Sequence, residues 1–246
     1  MAQISSMDLP ASIEAAWGLR AVPSKGPKRG LSLDGIVAVA IRIAEAEGLA
    51  AVSMSNVAAS LGVATMSLYR YVSAKRELLA LMIDSAFGDP SGLDPGWRQG
   101  LSGWAWGQHA VFRKHPWVLR VPISDPPVAP HQIAWLEAAL LCLRDTGLAE
   151  SEKLSVVLLL GNFVRSEAAL VNDVNAAFRA AGTTSPQAMA AYGRLLARLI
   201  GPGRFPALTA VIEAGVFDAE DDPDAEFKFG LRRVLDGIAV LVDSRR

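Results

Sequence analysis

One short run holds the densest set of side chains suited to chemistry at a polyanion: Thr65, Met66, Ser67, Tyr69, Arg70 and Tyr71, with Lys75 close behind. Hydroxyls and an arginine fork donate to phosphate oxygens and base edges, a lysine offers phosphate a point charge, and a thioether can meet a thymine methyl. Leu68 and Val72 interrupt the run at a four-residue spacing and give it an inward edge. A plainer reading of the two tyrosines is also open, as half-buried core rings with a wet hydroxyl. Upstream, Lys28 and Arg29 lie in the Pro- and Gly-rich stretch 23–30, which reads either as a basic arm that follows a DNA backbone or minor groove, or as a solvated linker. Residues 20–76 hold eight basic residues against three acidic, while 89–246 hold 16 against 18. A basic end on a near-neutral body is the footprint of a chain that meets phosphates, and it is concealed within a net charge of −1.

The second concentration is aromatic. Trp97, Trp104, Trp106, Trp117 and Trp135 fall within 39 residues, and His109, Phe112 and Arg113 share that stretch. Trp106, His109, Ala110 and Arg113 recur at helical spacing and so share a face. Such a set either fills core or lines an aromatic pocket with a few polar groups, the usual makeup of a small-molecule site. Asn162, Arg165 and Tyr192, set in otherwise apolar stretches, join His109 as groups that would orient a ligand; each could equally be a satisfied core or interface group. The ligand suited to such a pocket is small, mainly apolar and aromatic.

Enzyme chemistry finds little support. GxSxG, P-loop and HExxH motifs are absent. The three histidines lack metal-ligand spacing, and the acidic run 220–224 lacks EF-hand spacing. No catalytic residue, metal site or cofactor is therefore expected. A single cysteine, Cys142, excludes an intramolecular disulfide and reads as an inert buried thiol. No uninterrupted apolar run approaches the ~18 residues of a membrane span, and no basic stretch precedes an apolar core at the N-terminus. The expectation is a cytoplasmic chain with no membrane partner.

These side chains need elements to position them. Leu33, Ile36, Val37, Ala40 and Ala44 predict a helix over 33–47, capped by Ser32, with Asp34 in its first turn and Gly48 after it. Val57, Ala58 and Leu61 form the inner face of a short helix that Gly62 closes in the left-handed conformation. A second short helix follows, anchored by Val63, Leu68 and Val72. Residues 75–87 then form a longer one with Leu78, Leu79, Met82, Ile83 and Phe87. A helix, a tight turn and a second helix with a polar outer face can enter a major groove. Residues 12–19 predict a short helix with Ile13, Ala16 and Trp17 inward. Pro, Gly and Asp make 88–96 a boundary. Beyond it the pattern predicts helices over 97–114, 131–146, 151–174, 185–200, 205–214 and 227–244, a short piece at 117–121, and loops at 122–130 and 218–226. No strand alternation or internal repeat stands out.

Two of these helices are apolar nearly all round. In 151–174, Leu154, Val157, Leu158, Gly161, Val164 and Ala168 form one stripe, with Leu159, Leu160, Phe163 and Ala169 elsewhere. In 227–244, Phe227, Leu231, Val234, Leu235, Ile238 and Leu241 are joined by Gly230 and Gly237, which permit close approach. One chain does not readily hide so much apolar surface, so pairing of two copies is expected. The expected fold is all-α: an N-terminal extension and basic arm at 1–31, a three-helix helix-turn-helix DNA-binding domain at 32–88, and a larger helical domain at 89–246.

The opening helix with Gly48, the turn Leu61-Gly62-Val63, the run Leu68-Tyr69-Arg70-Tyr71-Val72, and Lys75 heading a helix with Leu78 and Leu79 together resemble the DNA-binding domain of the tetracycline-repressor (TetR) family. The match covers about 55 residues, and the rest resembles more loosely that family's helical ligand-binding and dimerisation region. The resemblance implies a repressor released from its operator by a small, mainly apolar molecule. It implies a homodimer built on 151–174 and 227–244, whose recognition helices lie about 34–36 Å apart or further. It also implies that Thr65, Ser67 and Tyr69 face the groove, that Lys75 holds phosphate, and that the helix over 75–87 is a lever reached from beside Trp106, His109 and Arg113. Ala64 stands where family members often carry a capping Ser or Thr, which leaves Thr65 as the alternative cap. The competing reading is a helical scaffold or small-molecule-binding protein that never meets DNA.

Overall fold

The computed structural model describes residues 9–19, 31–123, 125–201, 203–218 and 222–245. Lys28, Arg29 and the remainder of the basic stretch at 20–30 lie outside the described residues, as do 219–221 of the acidic loop. Every regular element among the described residues is helical.

The N-terminal unit grows from local capping. Helix α1 spans Ala11–Ala16 and α2 spans Leu33–Glu47. Ser32 caps α2, its Oγ accepting the Gly35 N–H at 3.1 Å. Helix α3, Met54–Leu61, is capped in the same way by Ser53 through the Asn56 N–H. Gly62 follows at φ +67°, a value an L side chain rarely adopts. The N–H groups of Gly62 and Val63 donate to the carbonyls of Ala59 and Ala58, the paired bonds of a Schellman stop. This turn leads into α4, Thr65–Leu68, which packs against α3. Ala64 occupies the cap position of α4 without a side-chain bond, and Thr65 is the first helical residue. The expectation that Thr65 caps this helix is therefore corrected: Ala64, in extended conformation, holds the cap position, and Thr65 already lies inside the first turn. Helix α5, Lys75–Phe87, completes the unit. Ile36, Ala40, Val57, Leu68, Val72 and Leu78 are almost wholly inaccessible and form its small core.

The larger unit contains α6 (Trp97–Lys114), a 3₁₀ turn (Pro116–Arg120), α7 (Pro130–Cys142), α8 (Glu150–Ala180), α9 (Ser185–Leu199), α10 (Pro206–Glu213) and α11 (Ala225–Asp243). Helix α6 is the central element, packed against α7, α8 and α11. Most boundaries fall within two residues of the pattern-based reading. Two differ more. Helix α7 stops at Cys142 rather than 146, because the chain tightens and the Thr146 hydroxyl donates to the Leu143 carbonyl at 2.6 Å. Helix α8 runs six residues past 174, since Asn172, Asp173 and Asn175 point to solvent or half-exposed surface and leave the backbone ladder intact.

Helix α8 is not buried on all sides in one chain. Val157, Leu160, Val164 and Ala168 enter the core, whereas Leu154, Leu158 and Leu159 are exposed. Among the described residues it is the one helix long and apolar enough to cross a bilayer by length and composition alone, with a mean hydropathy of 1.6. A search for uninterrupted apolar runs misses this because single polar residues break the stretch. Helix α11 divides likewise: Phe227, Leu231, Leu235 and Ile238 are buried, while Phe229 and Val240 are exposed. Trp17 also departs from expectation. It lies beyond the end of α1 at 40% exposure, and its indole N–H donates to the Val128 carbonyl at 2.8 Å. Ile13 and Ser12 are the buried residues of α1, with the Ser12 hydroxyl donating to Glu77 at 2.9 Å.

Candidate nucleic-acid interface and ligand cluster

Helix α4 is held from behind and open in front. Leu68 and Val72 are fully buried, so the backbone between them is fixed. In front, Met66 is 75% exposed and Tyr69 is 44% exposed, with Arg70 and Lys75 also exposed. Thr65 and Ser67 are half-buried at the edge of this surface. Tyr71 belongs to the support: its ring packs on the core and its hydroxyl donates to the Leu31 carbonyl at 3.0 Å. For Tyr71 the plainer reading, a core ring with a bonded hydroxyl, describes the geometry, whereas Tyr69 stands free in front. Lys75 is the first residue of α5. The loop before it is tied by Glu77, which accepts the Ser73 N–H at 3.0 Å and the Ser73 hydroxyl. The surface therefore presents a thioether, a phenol, a guanidinium and an ammonium on a rigid base, a set that fits base edges and phosphates.

The aromatic stretch divides into two sets. Trp104 and Trp135 are buried, and both indole N–H groups are satisfied by backbone: Trp104 on the Trp135 carbonyl at 2.7 Å, Trp135 on the Gly88 carbonyl at 2.9 Å. Phe87 meets Phe112 and Trp135 edge-on at 5.7 and 5.9 Å. Trp104, Phe112 and Trp135 are thus core, and they pack the body onto the end of α5. Trp117 is also buried, with its indole N–H unpartnered.

The second set gathers around Phe227 at the start of α11. The His109 ring stacks on Phe227 at 4.1 Å, Trp106 meets it edge-on at 4.7 Å, and Phe163 stacks from α8 at 5.7 Å. Gly230 makes room for Phe163; a Cβ there would lie 2.5 Å from the ring. His109 Nε2 lies 3.5 Å from Glu167 Oε2, and that oxygen is buried without a hydrogen-bond partner among the described residues. Arg113 is paired with Asp224 at 3.0 Å. Burial holds the His109 imidazole below its ordinary pKa of 6.5, against the pull of Asp224 and with a further push from Arg113. Burial, with the Asp224 and Glu226 carboxylates adding to it, pushes Glu167 above its ordinary 4.5. Arg165 turns to another side, donating to the Leu119 and Val121 carbonyls at 3.3 Å and lying over the Phe112 ring at 6.0 Å.

Of the residues expected to line a pocket, Trp106, His109 and Arg113 do come together. Asn162 is exposed, and Tyr192 is half exposed against Phe217 on the α9 side. Sequence reasoning passed over Phe163, Glu167, Asp224 and Phe227 as ligand-site residues. Phe163 and Glu167 stand at i and i+4 on α8, a spacing that puts ring and carboxyl on one face. Nothing local marks Phe227 as their partner, because α11 arrives from the far end of the chain. Two surface clefts lie elsewhere. One of about 280 Å³ is formed by α8 and α11 and lined by Ser151, Ser155, Leu159 and Leu241 among others. The other, about 200 Å³, lies beside Pro90, Leu141 and Cys142. The Cys142 thiol donates to the Ala138 carbonyl at 3.2 Å, and burial pushes its pKa up.

The two units meet through charged contacts as well as rings. Asp84 of α5 is buried and receives His131 at 2.7 Å and the Gln132 N–H at 3.0 Å, so it caps α7 from another element. At the end of α6, His115 Nδ1 lies 2.8 Å from the Glu45 carboxylate of α2, close but poorly aligned for a hydrogen bond.

Comparison with known proteins agrees with this architecture along the chain. Residues 36–82 match the family described as "Bacterial regulatory proteins, tetR family", and residues 89–242 match "Tetracyclin repressor-like, C-terminal domain". The HTH-type transcriptional repressor DrrR1 of Streptomyces coeruleorubidus is 38% identical over 245 residues, covering 98% of this chain and 89% of that protein. Among solved structures, apo ActR from Streptomyces coelicolor superposes with a TM-score of 0.69 at 27% identity, covering 87% of this chain and 98% of ActR. ActR in complex with actinorhodin gives 0.70 at 27% identity, covering 87% and 99%.

Proposed function

From the premise that this chain belongs to the TetR family of bacterial regulatory proteins, we propose that it grips operator DNA through the front of α4 and releases it when a small, mainly apolar aromatic molecule enters the Phe227 cluster. It is a helix-turn-helix transcriptional repressor, not an enzyme, and like its family it binds operator DNA as a dimer and takes a small-molecule ligand. Thr65, Met66, Ser67 and Tyr69 read bases, while Arg70 and Lys75 hold phosphate, with Lys28 and Arg29 as additional backbone contacts. Tyr71 positions α4 from behind. The protein acts in the cytoplasm, where its operator lies.

The observation that carries this reading is the pairing of a fully buried Leu68 and Val72 with an exposed Met66, Tyr69, Arg70 and Lys75. A rigid back and an unpartnered, chemically mixed front are what a recognition helix needs. The exposed leucines of α8 and the exposed Phe229 and Val240 of α11 support a dimer face across 151–174 and 227–244. The ActR complex with actinorhodin supports a ligand-bound state in this fold. Release follows if the ligand binds more tightly to an arrangement in which α5 is tilted and the two recognition helices are misplaced. A tenfold loss of operator affinity needs about 1.4 kcal/mol of such coupling. The test is fluorescence anisotropy with DNA flanking its own gene. Saturable, salt-sensitive binding of one segment over scrambled DNA is the expected result, and equal weak binding of both would refute it.

A further inference from the structure

The Phe227 cluster contains a group that a purely apolar pocket has no use for. Glu167 Oε2 is buried beside the His109 ring and has no hydrogen-bond partner among the described residues, in a side chain that is 15% exposed. Its nearest basic neighbour is His109 at 3.5 Å, which burial keeps neutral. Arg113 is committed to Asp224. Arg165 is committed to two backbone carbonyls. A buried, unpaired carboxyl is costly, and such groups concentrate where a ligand completes them. The rings add to the same sign of attraction. His109 and Phe163 stack on Phe227 and Trp106 meets it edge-on, so an aromatic body that parts these rings gains their π faces, and aromatic faces attract cations. The acidic groups at the rim, Asp224 and Glu226, work in the same direction: both add to the upward push that burial gives Glu167.

We infer that the cluster of Trp106, His109, Phe163, Glu167 and Phe227 takes an organic cation, an amine or quaternary nitrogen on an aromatic body, with Glu167 as its counter-ion. This rests on the ligand-responsive reading above and names the chemical class of the effector. The aromatic body parts Phe227 from His109 and Trp106, and the cationic nitrogen fills the unmet acceptor on Glu167. His109, neutral, offers Nε2 or Nδ1 to the same molecule. An anionic effector of the same shape meets Glu167, Asp224 and Glu226 and is repelled.

A matched series on one bicyclic ring tests this: naphthylmethylamine, naphthylmethanol and naphthoate, titrated calorimetrically into the full-length protein. The amine is expected to bind at least about tenfold tighter than the other two, the scale of one desolvated charge pair. In Glu167→Gln, which keeps the shape and removes the charge, the amine is expected to lose about that factor and the alcohol to change little. Alcohol or naphthoate binding as tightly as the amine, an amine affinity indifferent to Glu167→Gln, or no amine binding at all would each overturn the inference. The wild-type series decides the matter even if the variant fails to fold. Operator binding measured on the same wild-type protein keeps the two readings separate: intact operator binding with no preference for the amine removes this inference alone, whereas absent operator binding removes the repressor reading.

Discussion

Asp84 and His131 join the two halves of the molecule: the imidazole Nδ1 lies 2.7 Å from Asp84 Oδ2, while Oδ1 of the same carboxylate accepts the Gln132 N–H at 3.0 Å. A side chain on α5 thus closes the N-terminus of α7. In the release mechanism proposed above, the orientation of α5 sets the spacing of the recognition helices, so a change at this junction is expected to alter operator fit as well as stability. Replacing Asp84 by Ala is expected to cost about 2 kcal/mol, from a lost cap and a buried donor left without its acceptor. At this chain length that lowers the melting temperature by roughly 4–8 °C. Calorimetry checks it, and a variant that melts like wild type would mean that water replaces the carboxylate.

Lys75 lies at the first residue of α5 and is exposed, so its loss leaves the core untouched. Lys75→Ala is expected to weaken binding to operator and to random DNA alike, and to reduce the slope of log affinity against log salt by about one. An unchanged slope would move the phosphate contact elsewhere.

Met66 is 75% exposed, and its thioether has no role in packing α4. Met66→Ala is therefore expected to leave the melting curve in place while relaxing preference at one position of each half-site, at about 1–3 kcal/mol. Selection from a randomised operator library reads this out. Uniform loss over all sequences would assign Met66 to backbone positioning.

Leu158 is 57% exposed on α8, whereas Leu235 is 4% exposed inside its own chain. The two leucines look alike in sequence but test different things. Leu158→Glu is expected to give folded monomers in sedimentation, because an obligate interface commonly buries about 2,000 Å² or more and does not tolerate a desolvated charge. Leu235→Glu is expected to unfold the monomer. A Leu158→Glu protein that remains a tight dimer would place the interface off this face.

Glu167 and His109 have opposite linkage to pH. Glu167 is pushed above its ordinary 4.5, so between 4.5 and the raised value the folded chain holds a proton that the unfolded chain has released. That penalty is absent below 4.5 and grows as pH rises through the raised value. His109 is held below 6.5, so its contribution is lost as pH falls beneath that value. Glu167→Gln is therefore expected to melt higher than wild type at pH 7.5, with the gain vanishing near pH 4.5. A binding group that strains the empty protein behaves in this way. A gain that persists unchanged at pH 4.5 would show that charge is not its origin.

The sequence by itself determined the helices and how they stop. Ser32, Ser53 and Gly62 act within a few residues of themselves, and the spacing of Leu68 and Val72 assigns an inside to α4, so local chemistry was enough to specify the DNA-facing unit. The surplus of apolar surface on 151–174 was equally legible, because it is a property of one helix. Tertiary structure alone decided which apolar face meets the core and which stays open, as Leu235 and Leu158 show. It also decided which tryptophans are structural and where Glu167 goes. Trp104 and Trp135 satisfy their N–H groups on backbone up to 47 residues away. Glu167, in the middle of α8, becomes unusual only when His109 of α6 and Phe227 of α11 close around it. Burial, and the electrostatics that follow from it, depend on what arrives from distant sequence, and no local pattern encodes those arrivals.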